Sequence, residues 1–133
     1  MGEIMRCFVF TGISRVIIED VIKGMVKTIE LRSAHNVATA LKANVGNCVF
    51  LTPTRLYDLS RGVSGLVAEV TGKEVISHSI FLSTDRFMDE SEMTVVKLRL
   101  KPKCIGRILN VLNAGILDST EAEVIEMSYY DAK

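Results

Sequence analysis

Hydrophobic and polar residues alternate in several short stretches of the chain, and this period of two is typical of β-strands. The run T-I-E-L-R at residues 28–32 shows it most clearly, because its two aliphatic side chains point to one side and its three polar side chains to the other. Alternating or continuous apolar runs predict further strands at residues 7–11, 48–52, 65–76, 93–101 and 123–130.

Two stretches have helical spacing instead. Ser14 occupies an N-cap position, and apolar residues recur at helical spacing over residues 17–25, with Gly24 in the last turn. Asn36 is predicted to cap a second, shorter helix that ends at Ala43. The chain is therefore expected to place a helix on each side of the T-I-E-L-R strand.

Prolines, glycines and polar clusters separate these elements. Pro53 and Pro102 are each predicted to end the strand that precedes them, and Gly72 predicts a break or bulge. The acidic residues 85–92 are interpreted as a surface turn. Residues 105–111 stay open between a strand and a short helix, because the period of a short apolar run does not distinguish the two.

The elements amount to about six or seven strands and two or three short helices, which predicts an α+β, mostly β fold. A chain of 133 residues is long enough for one domain and too short for two, so residues 1–133 are expected to form a single domain. Short strands with few helices favour a closed or partly closed mixed β-barrel over a doubly wound sheet.

Composition narrows the classes of function. The 16 lysines and arginines balance 16 aspartates and glutamates, so no net charge attracts a polyanion, although a local basic site remains possible. The sequence holds no phosphate-binding loop and no metal-ligand spacing, so neither a cofactor nor a metal is predicted. Apolar stretches too short to span a bilayer and the lack of a signal-peptide pattern predict a cytoplasmic protein without membrane contact.

The number and spacing of the cysteines agree with a cytoplasmic location. Cys7, Cys48 and Cys104 each stand alone inside an apolar run, and no two of them form a C-x-x-C pair. An odd, scattered set is typical of buried thiols in a reducing cytosol. The sequence therefore predicts buried thiols rather than a disulfide framework.

A longer motif surrounds the T-I-E-L-R run. It begins G-x-x-K-T-I-E-L-R, follows a predicted helix, and precedes V-G-N-C-V-F-L at residues 45–51 and G-L-V-A-E-V at residues 65–70. This order resembles the ASCH-like branch of the PUA-like superfamily, although Gly46 and Asn47 stand where that branch commonly has a Gly-Asp turn. The chain also resembles an uncharacterised family of small archaeal proteins. The residues that match the first motif are Gly24, Lys27, Thr28, Glu30 and Arg32.

The resemblance implies a PUA-like barrel with a cleft that binds RNA or a nucleotide-like ligand. Some small members of the superfamily are amidohydrolases that use a lysine and a threonine of this strand. Glu30 stands where those hydrolases have the nucleophilic threonine, and a glutamate supplies no hydroxyl nucleophile. A non-catalytic binding module is therefore the first hypothesis.

The candidate ligand-binding residues lie on this strand and at the start of the helix that follows it. A guanidinium beside a hydrogen-bond acceptor suits a phosphate-bearing ligand, and a helix start offers free N–H groups to an anion. The alternatives are an ordinary ion pair between Glu30 and Arg32 on a solvated sheet face, and a purely capping role for Asn36. The candidates are Lys27, Glu30, Arg32, Ser33, His35 and Asn36.

One strand carries a row of basic side chains. Lys97, Arg99 and Lys101 share one face and could follow a nucleic-acid backbone. The alternative is an edge strand protected by lysines, or a strand whose basic residues pair with Glu123 and Glu126 across the sheet.

Two further functions stay open. A small-molecule amidohydrolase for nucleoside-like substrates would use Lys27, with Glu30 as acid or base and water as nucleophile. A protein-interaction subunit would have no ligand at all. Base stacking by a nucleic-acid ligand would fall to Tyr57, Phe81 or Phe87, because the chain has no tryptophan. The sequence leaves the oligomeric state undetermined.

Overall fold

The predicted class is confirmed by a computed structural model that is mostly β, with six strands and two α-helices among the residues it describes. It describes residues 2–25, 28–83, 88–115 and 118–129, with their side chains except at residues 78–92, 128 and 129. Lys27 and Phe87, and the side chain of Phe81, lie outside this description. In chain order the elements are β1 (Ile4–Phe10), α1 (Arg15–Ile22), β2 (Thr28–Leu31), α2 (Ala34–Lys42), β3 (Cys48–Leu51), β4 (Ser64–Ser83), β5 (Met88–Asn113) and β6 (Glu121–Tyr129), with a 3₁₀ turn at Leu56–Asp58.

The strands form one mixed sheet in the order β2-β5-β4-β3-β1-β6. Because β6 pairs with β5 as well as with β1, five of the strands close into a ring. Strands β1 and β3 are parallel, whereas the other pairs are antiparallel. Strand β2 lies outside the ring and pairs with the part of β5 that precedes its contact with β6.

Two hydrophobic clusters hold the ring and its cover together. Apolar side chains from all five ring strands fill the interior of the ring, with Phe50 and Ile108 the largest. A second cluster, which includes Phe10 and Leu98, lies on the other face of β1, β3, β4 and β5, where α1, α2 and β2 cover it. Burial of this apolar surface is the main force that joins the helices to the sheet. Within the described ranges, no helix is long and apolar enough to cross a membrane.

Different hydrogen bonds stabilise the ends of the two helices. As predicted, Ser14 caps α1, because its hydroxyl accepts a hydrogen bond from the backbone N–H of Val16. Asn36 was expected to cap α2, which is wrong: Ser33 is at the N-cap position, and Asn36 lies inside the first turn. At the other end of α2, the ammonium group of Lys73 donates hydrogen bonds to the last carbonyls of the helix, which stabilises its carboxyl end.

Strand β5 is longer than predicted. Pro102 does not end it, residues 105–111 are strand rather than helix, and the backbone of residues 88–92 continues the strand instead of forming a turn. The physical reason lies in the pairing of β5. Its contact with β2 ends at Arg99 and its contact with β6 begins at Cys104, so Pro102 lies where only β4 pairs with β5, beside a register shift in that pairing, and such places tolerate a proline. The bulge predicted at Gly72 is confirmed by a register shift.

The cysteine prediction is wrong for two of the three residues. Cys7 and Cys48 form a disulfide across the parallel strands β1 and β3, with 4.7 Å between their Cα atoms. The β1–β3 register pairs Phe8 with Val49, so the two cysteines that precede these residues lie side by side. Cys104 is a buried free thiol, as predicted, and burial raises its pKa.

Candidate functional site

The predicted pair on β2 is exposed and engaged in an ion pair. Arg32 Nη2 lies 2.8 Å from Glu30 Oε2, and the Lys97 ammonium is 3.7 Å from the other carboxylate oxygen. The side chains of Glu30 and Arg32 are 42% and 64% exposed. The hydrogen bond from Arg32 lowers the pKa of Glu30, so the carboxylate is a weak base. This geometry corresponds to the ordinary ion pair on a solvated sheet face, and neither residue lines the hollows described below.

A different surface forms where the two parallel strands end. Because β1 and β3 run in the same direction, the loops that follow them leave the sheet at the same edge. The loops are joined by backbone hydrogen bonds, of 2.9 Å from Gly12 N to Thr54 O and 3.0 Å from Ile13 N to Thr52 O. Residues 11–13 and 52–55 thus form a double loop, called the ridge below.

Asn36 attaches the start of α2 to this ridge. Its side-chain amide donates a hydrogen bond of 2.8 Å to the carbonyl of Thr11 and accepts one of 3.1 Å from the backbone N–H of the same residue. The side chain is only 6% exposed. Asn36 is therefore a structural clamp, with its amide already engaged by the backbone, and not a group free to bind a ligand.

His35, the neighbour of the clamp, lies at the surface of a hollow beside the ridge. Its Nε2 is 2.9 Å from the hydroxyl oxygen of Thr11, which fixes the position of the half-buried ring. The hollow has a volume of about 290 Å³ and is called the His35 hollow. It is lined by Thr11, Gly12, His35, Arg55, Leu56 and Tyr57.

Two side chains of the His35 hollow project into solvent. Tyr57 is 84% exposed, the highest value among the large hydrophobic and aromatic side chains that the structure describes. Arg55 is also exposed, and within the described ranges it makes no ion pair. An exposed aromatic ring and an unpaired guanidinium on one rim can together contact a flat base and a negative charge.

The basic strand lies elsewhere. Arg99 and Lys101 border a separate hollow of about 460 Å³ at the end of α1, together with Val21 and Gly24. Strand β5 is no edge strand at Lys97 and Arg99, where it pairs with β4 on one side and β2 on the other, whereas Lys101 lies between the β2 and β6 pairings. The suggested pairing with the glutamates of β6 is wrong as well, since those glutamates lie opposite Asn110 and Gly106.

The site residues were only partly visible in the sequence. His35 and Tyr57 were both singled out for the binding of RNA or a nucleotide-like ligand, but from separate parts of the chain, and Ser33 proves to be the N-cap residue of α2. Thr11 and Arg55 were missed, because they reach the site only through the parallel pairing of β1 with β3. Their one local signal is their position, since Thr11 directly follows β1 and Arg55 follows β3 after a short bend. Among the described side chains, no three His, Cys, Asp or Glu residues come together as metal ligands would.

Similarity to known proteins covers most of the chain. The model of a family described as "Protein of unknown function (DUF473)" matches residues 5–122. A protein from the archaeon Methanocaldococcus jannaschii, "Uncharacterized protein MJ0105", is 30% identical over 79 residues, which are 59% of this chain and 52% of the relative. The chain thus spans about half the length of that curated relative. The expected likeness to an archaeal family is confirmed by these matches, whereas no solved structure matches the chain.

Proposed function

Because the chain belongs to the DUF473 family, whose description names no activity, we propose a function from the site itself. The chain is a non-catalytic module that binds an unpaired base of RNA, or a nucleotide-like small molecule, in the His35 hollow. The observation that carries the proposal is the exposed ring of Tyr57 at the rim of a concave surface that also holds His35 and Arg55.

The three side chains supply complementary contacts. An aromatic face stacks on a base of any sequence, and the gain is about 1 to 3 kcal/mol per base. The imidazole of His35 can hydrogen-bond to a base edge, while the guanidinium of Arg55 can hold a phosphate through two parallel hydrogen bonds. Stacking needs an unstacked base, which favours a single strand or a free nucleotide over a duplex.

We also propose that the closed five-stranded ring is a PUA-like barrel of the ASCH-like branch. In support of this assignment, α1 precedes the K-T-I-E-L-R run, Gly24 with positive φ follows the C-cap residue of the helix, and residues 28–31 of the run form β2. In this proposal the ligand lies beyond the end of β2, at the junction with α2, rather than against Glu30 and Arg32.

No observation favours the hydrolase. Its two residues were Lys27, which lies outside the described ranges, and Glu30, which is exposed and already paired with Arg32. A carboxylate with a lowered pKa is a poor proton acceptor at neutral pH. The proposal therefore contains no chemical step.

Titration calorimetry with the four ribonucleoside monophosphates and short single-stranded RNAs tests the proposal. We expect the wild-type chain to bind, and Tyr57→Ala to weaken binding about tenfold or more through the loss of stacking. Tyr57→Phe keeps the ring and should retain most of the affinity. Arg55→Ala should also weaken binding, whereas Arg32→Ala, which changes another exposed arginine outside the hollow, should not. Absence of binding by the wild type, or an Arg32→Ala loss that exceeds the Tyr57→Ala loss, would contradict the proposal.

A further inference from the structure

A second hollow lies across the ridge from the first. It has a volume of about 430 Å³ and is called the Arg15 hollow. The start of α1, the ridge, the start of β4 and the part of β5 that pairs with it line this hollow. The residues that matter for its chemistry are Arg15, Ile18, Glu19, Thr54, Leu66 and Ile105.

The two hollows are immediate neighbours. Thr54 lines the Arg15 hollow and Arg55 lines the His35 hollow, so the boundary between them falls between two consecutive residues of the ridge. Consecutive Cα atoms are about 3.8 Å apart. The hydrogen bond from Gly12 to Thr54 holds the boundary in place, because it joins the two loops at this point. A strand of nucleotides that enters both hollows would therefore cross the ridge at this boundary.

The Arg15 hollow has an apolar floor and a charged rim. Ile105 is half-buried and provides most of the accessible apolar surface of the floor, while Ile18 and Leu66, which also line the hollow, are buried. Arg15 and Glu19 are exposed and lie four residues apart on α1, which places them on the same side of the helix. No ion pair joins them, or joins either to another described residue.

These features match the parts of a nucleotide. The floor can receive the face of a base, the carboxylate of Glu19 can accept hydrogen bonds from an amino group or a ribose hydroxyl, and the guanidinium of Arg15 can pair with a phosphate. Because Arg15 and Arg55 lie on opposite sides of the ridge, they can contact successive phosphates of a backbone that crosses it.

We propose that the Arg15 hollow binds the nucleotide adjacent to the one in the His35 hollow, so that the ligand is single-stranded RNA and not a free mononucleotide. This inference rests on the proposed function. A duplex is unsuitable because its bases are paired and stacked in one column, whereas two hollows on opposite sides of a ridge require bases that are splayed apart.

The test compares ligands of increasing length on matched variants. Titration calorimetry with a ribonucleoside monophosphate, a dinucleotide, a short single-stranded RNA and its duplex is carried out on the wild type, Arg15→Ala and Lys23→Ala. Lys23 is an exposed cation that follows α1 and lines neither hollow, so it controls for loss of charge. Thermal denaturation confirms that both variants fold.

We expect the dinucleotide to bind the wild type about tenfold more tightly than the monophosphate. Arg15→Ala should remove most of this gain, reduce the salt dependence of single-strand binding by about 0.7 in the slope of log K against log salt, and leave unchanged the monophosphate binding that depends on Tyr57. Lys23→Ala should behave as the wild type.

The outcomes separate the two proposals. Equal affinity for monophosphate and dinucleotide, equal behaviour of Arg15→Ala and Lys23→Ala, or tighter binding of the duplex would contradict the proposal for the Arg15 hollow. The proposal that a nucleotide binds in the His35 hollow would not be contradicted by these results. Binding that Tyr57→Ala leaves intact would overturn the proposed function and, with it, this inference. Absence of binding by every ligand would overturn both.

Discussion

Asn36 connects the start of α2 to the loop after β1 through two hydrogen bonds with the backbone of Thr11. A side-chain amide is well suited to this task, because it offers one donor and one acceptor at the spacing of a peptide group. The clamp fixes Thr11, whose hydroxyl in turn contacts His35. The position of the candidate ligand-binding histidine thus depends on a residue that contacts no ligand.

Asn36→Ala should lower the free energy of unfolding by about 2 to 3 kcal/mol, because it leaves the N–H and carbonyl of Thr11 unsatisfied in a buried place. Urea denaturation measures this effect. Asn110→Ala is the control, because Asn110 is exposed, and we expect it to leave stability close to that of the wild type. Equal stability of the two variants would show that the clamp contributes nothing.

Among the elements, strand β5 has the widest role, since it pairs with β4 along most of its length and with β2 and β6 in turn on its other side. The link from β5 to β6 is attached to α2 by an ion pair between Lys42 Nζ and Asp118 Oδ1, which are 2.8 Å apart. The hydrogen bond from Lys42 and the backbone N–H of Ser119 lower the pKa of Asp118. This link therefore depends on an ionised carboxylate.

The stability that Asp118 contributes should disappear in acid. Its native pKa lies below the ordinary value of 3.8, so the contribution is complete above that value and is lost as the pH falls through the native pKa. Asp118→Asn should be less stable than the wild type at neutral pH and should converge with it in strong acid. Urea denaturation across this range, with Asp58→Asn as control, provides the measurement. A constant difference at every pH would contradict the expectation.

Elements with a local cause could be predicted from the sequence. Ser14 capped its helix as expected, and the T-I-E-L-R alternation corresponds to β2, because both depend on neighbours within a few residues. Pro102 was misjudged, since its effect depends on where β2 and β6 leave β5. The role of Lys73 at the end of α2 was not predictable either, because thirty positions separate it from the last carbonyl that it contacts.

Contacts between distant parts of the chain also limited what the sequence could predict about the candidate site. The sequence pointed to the junction of β2 and α2 and to Tyr57, but it contained no sign that the loop after β3 lies against the loop after β1. That contact follows from the parallel register of two strands far apart in the chain. The Glu30 and Arg32 pair had the clearer sequence pattern, yet alternation says only that two side chains share a face.

For the molecule as a whole, the disulfide between Cys7 and Cys48 is a covalent join between two neighbouring strands of the ring, across a sequence separation of 41. A cross-link of this span stabilises a fold chiefly because it restricts the unfolded chain. Both sulfurs belong to the apolar cluster inside the ring or pack against it, so the bond also ties the interior to the sheet.

Reduction should lower the free energy of unfolding by about 2 to 4 kcal/mol. Denaturation with and without a thiol reductant, together with mass spectrometry of alkylated cysteines, tests this expectation. A Cys7→Ser, Cys48→Ser double variant should start at the lower stability and show no response to reductant, whereas Cys104→Ser should keep the response. A wild-type chain whose cysteines are all alkylated without reductant would show that the bond does not form.

Closure of the ring has a consequence for biosynthesis. Strand β1 leaves the ribosome before the other strands of the ring, but its outer partner is β6, with Ile4 opposite Ile125. Until β6 has been made, β1 has an unpaired edge, and such an edge can pair with the wrong chain. Pairings between residues so far apart also form slowly. We therefore expect the nascent chain to be most prone to aggregation just before β6 emerges, when the rest of the sheet is already translated.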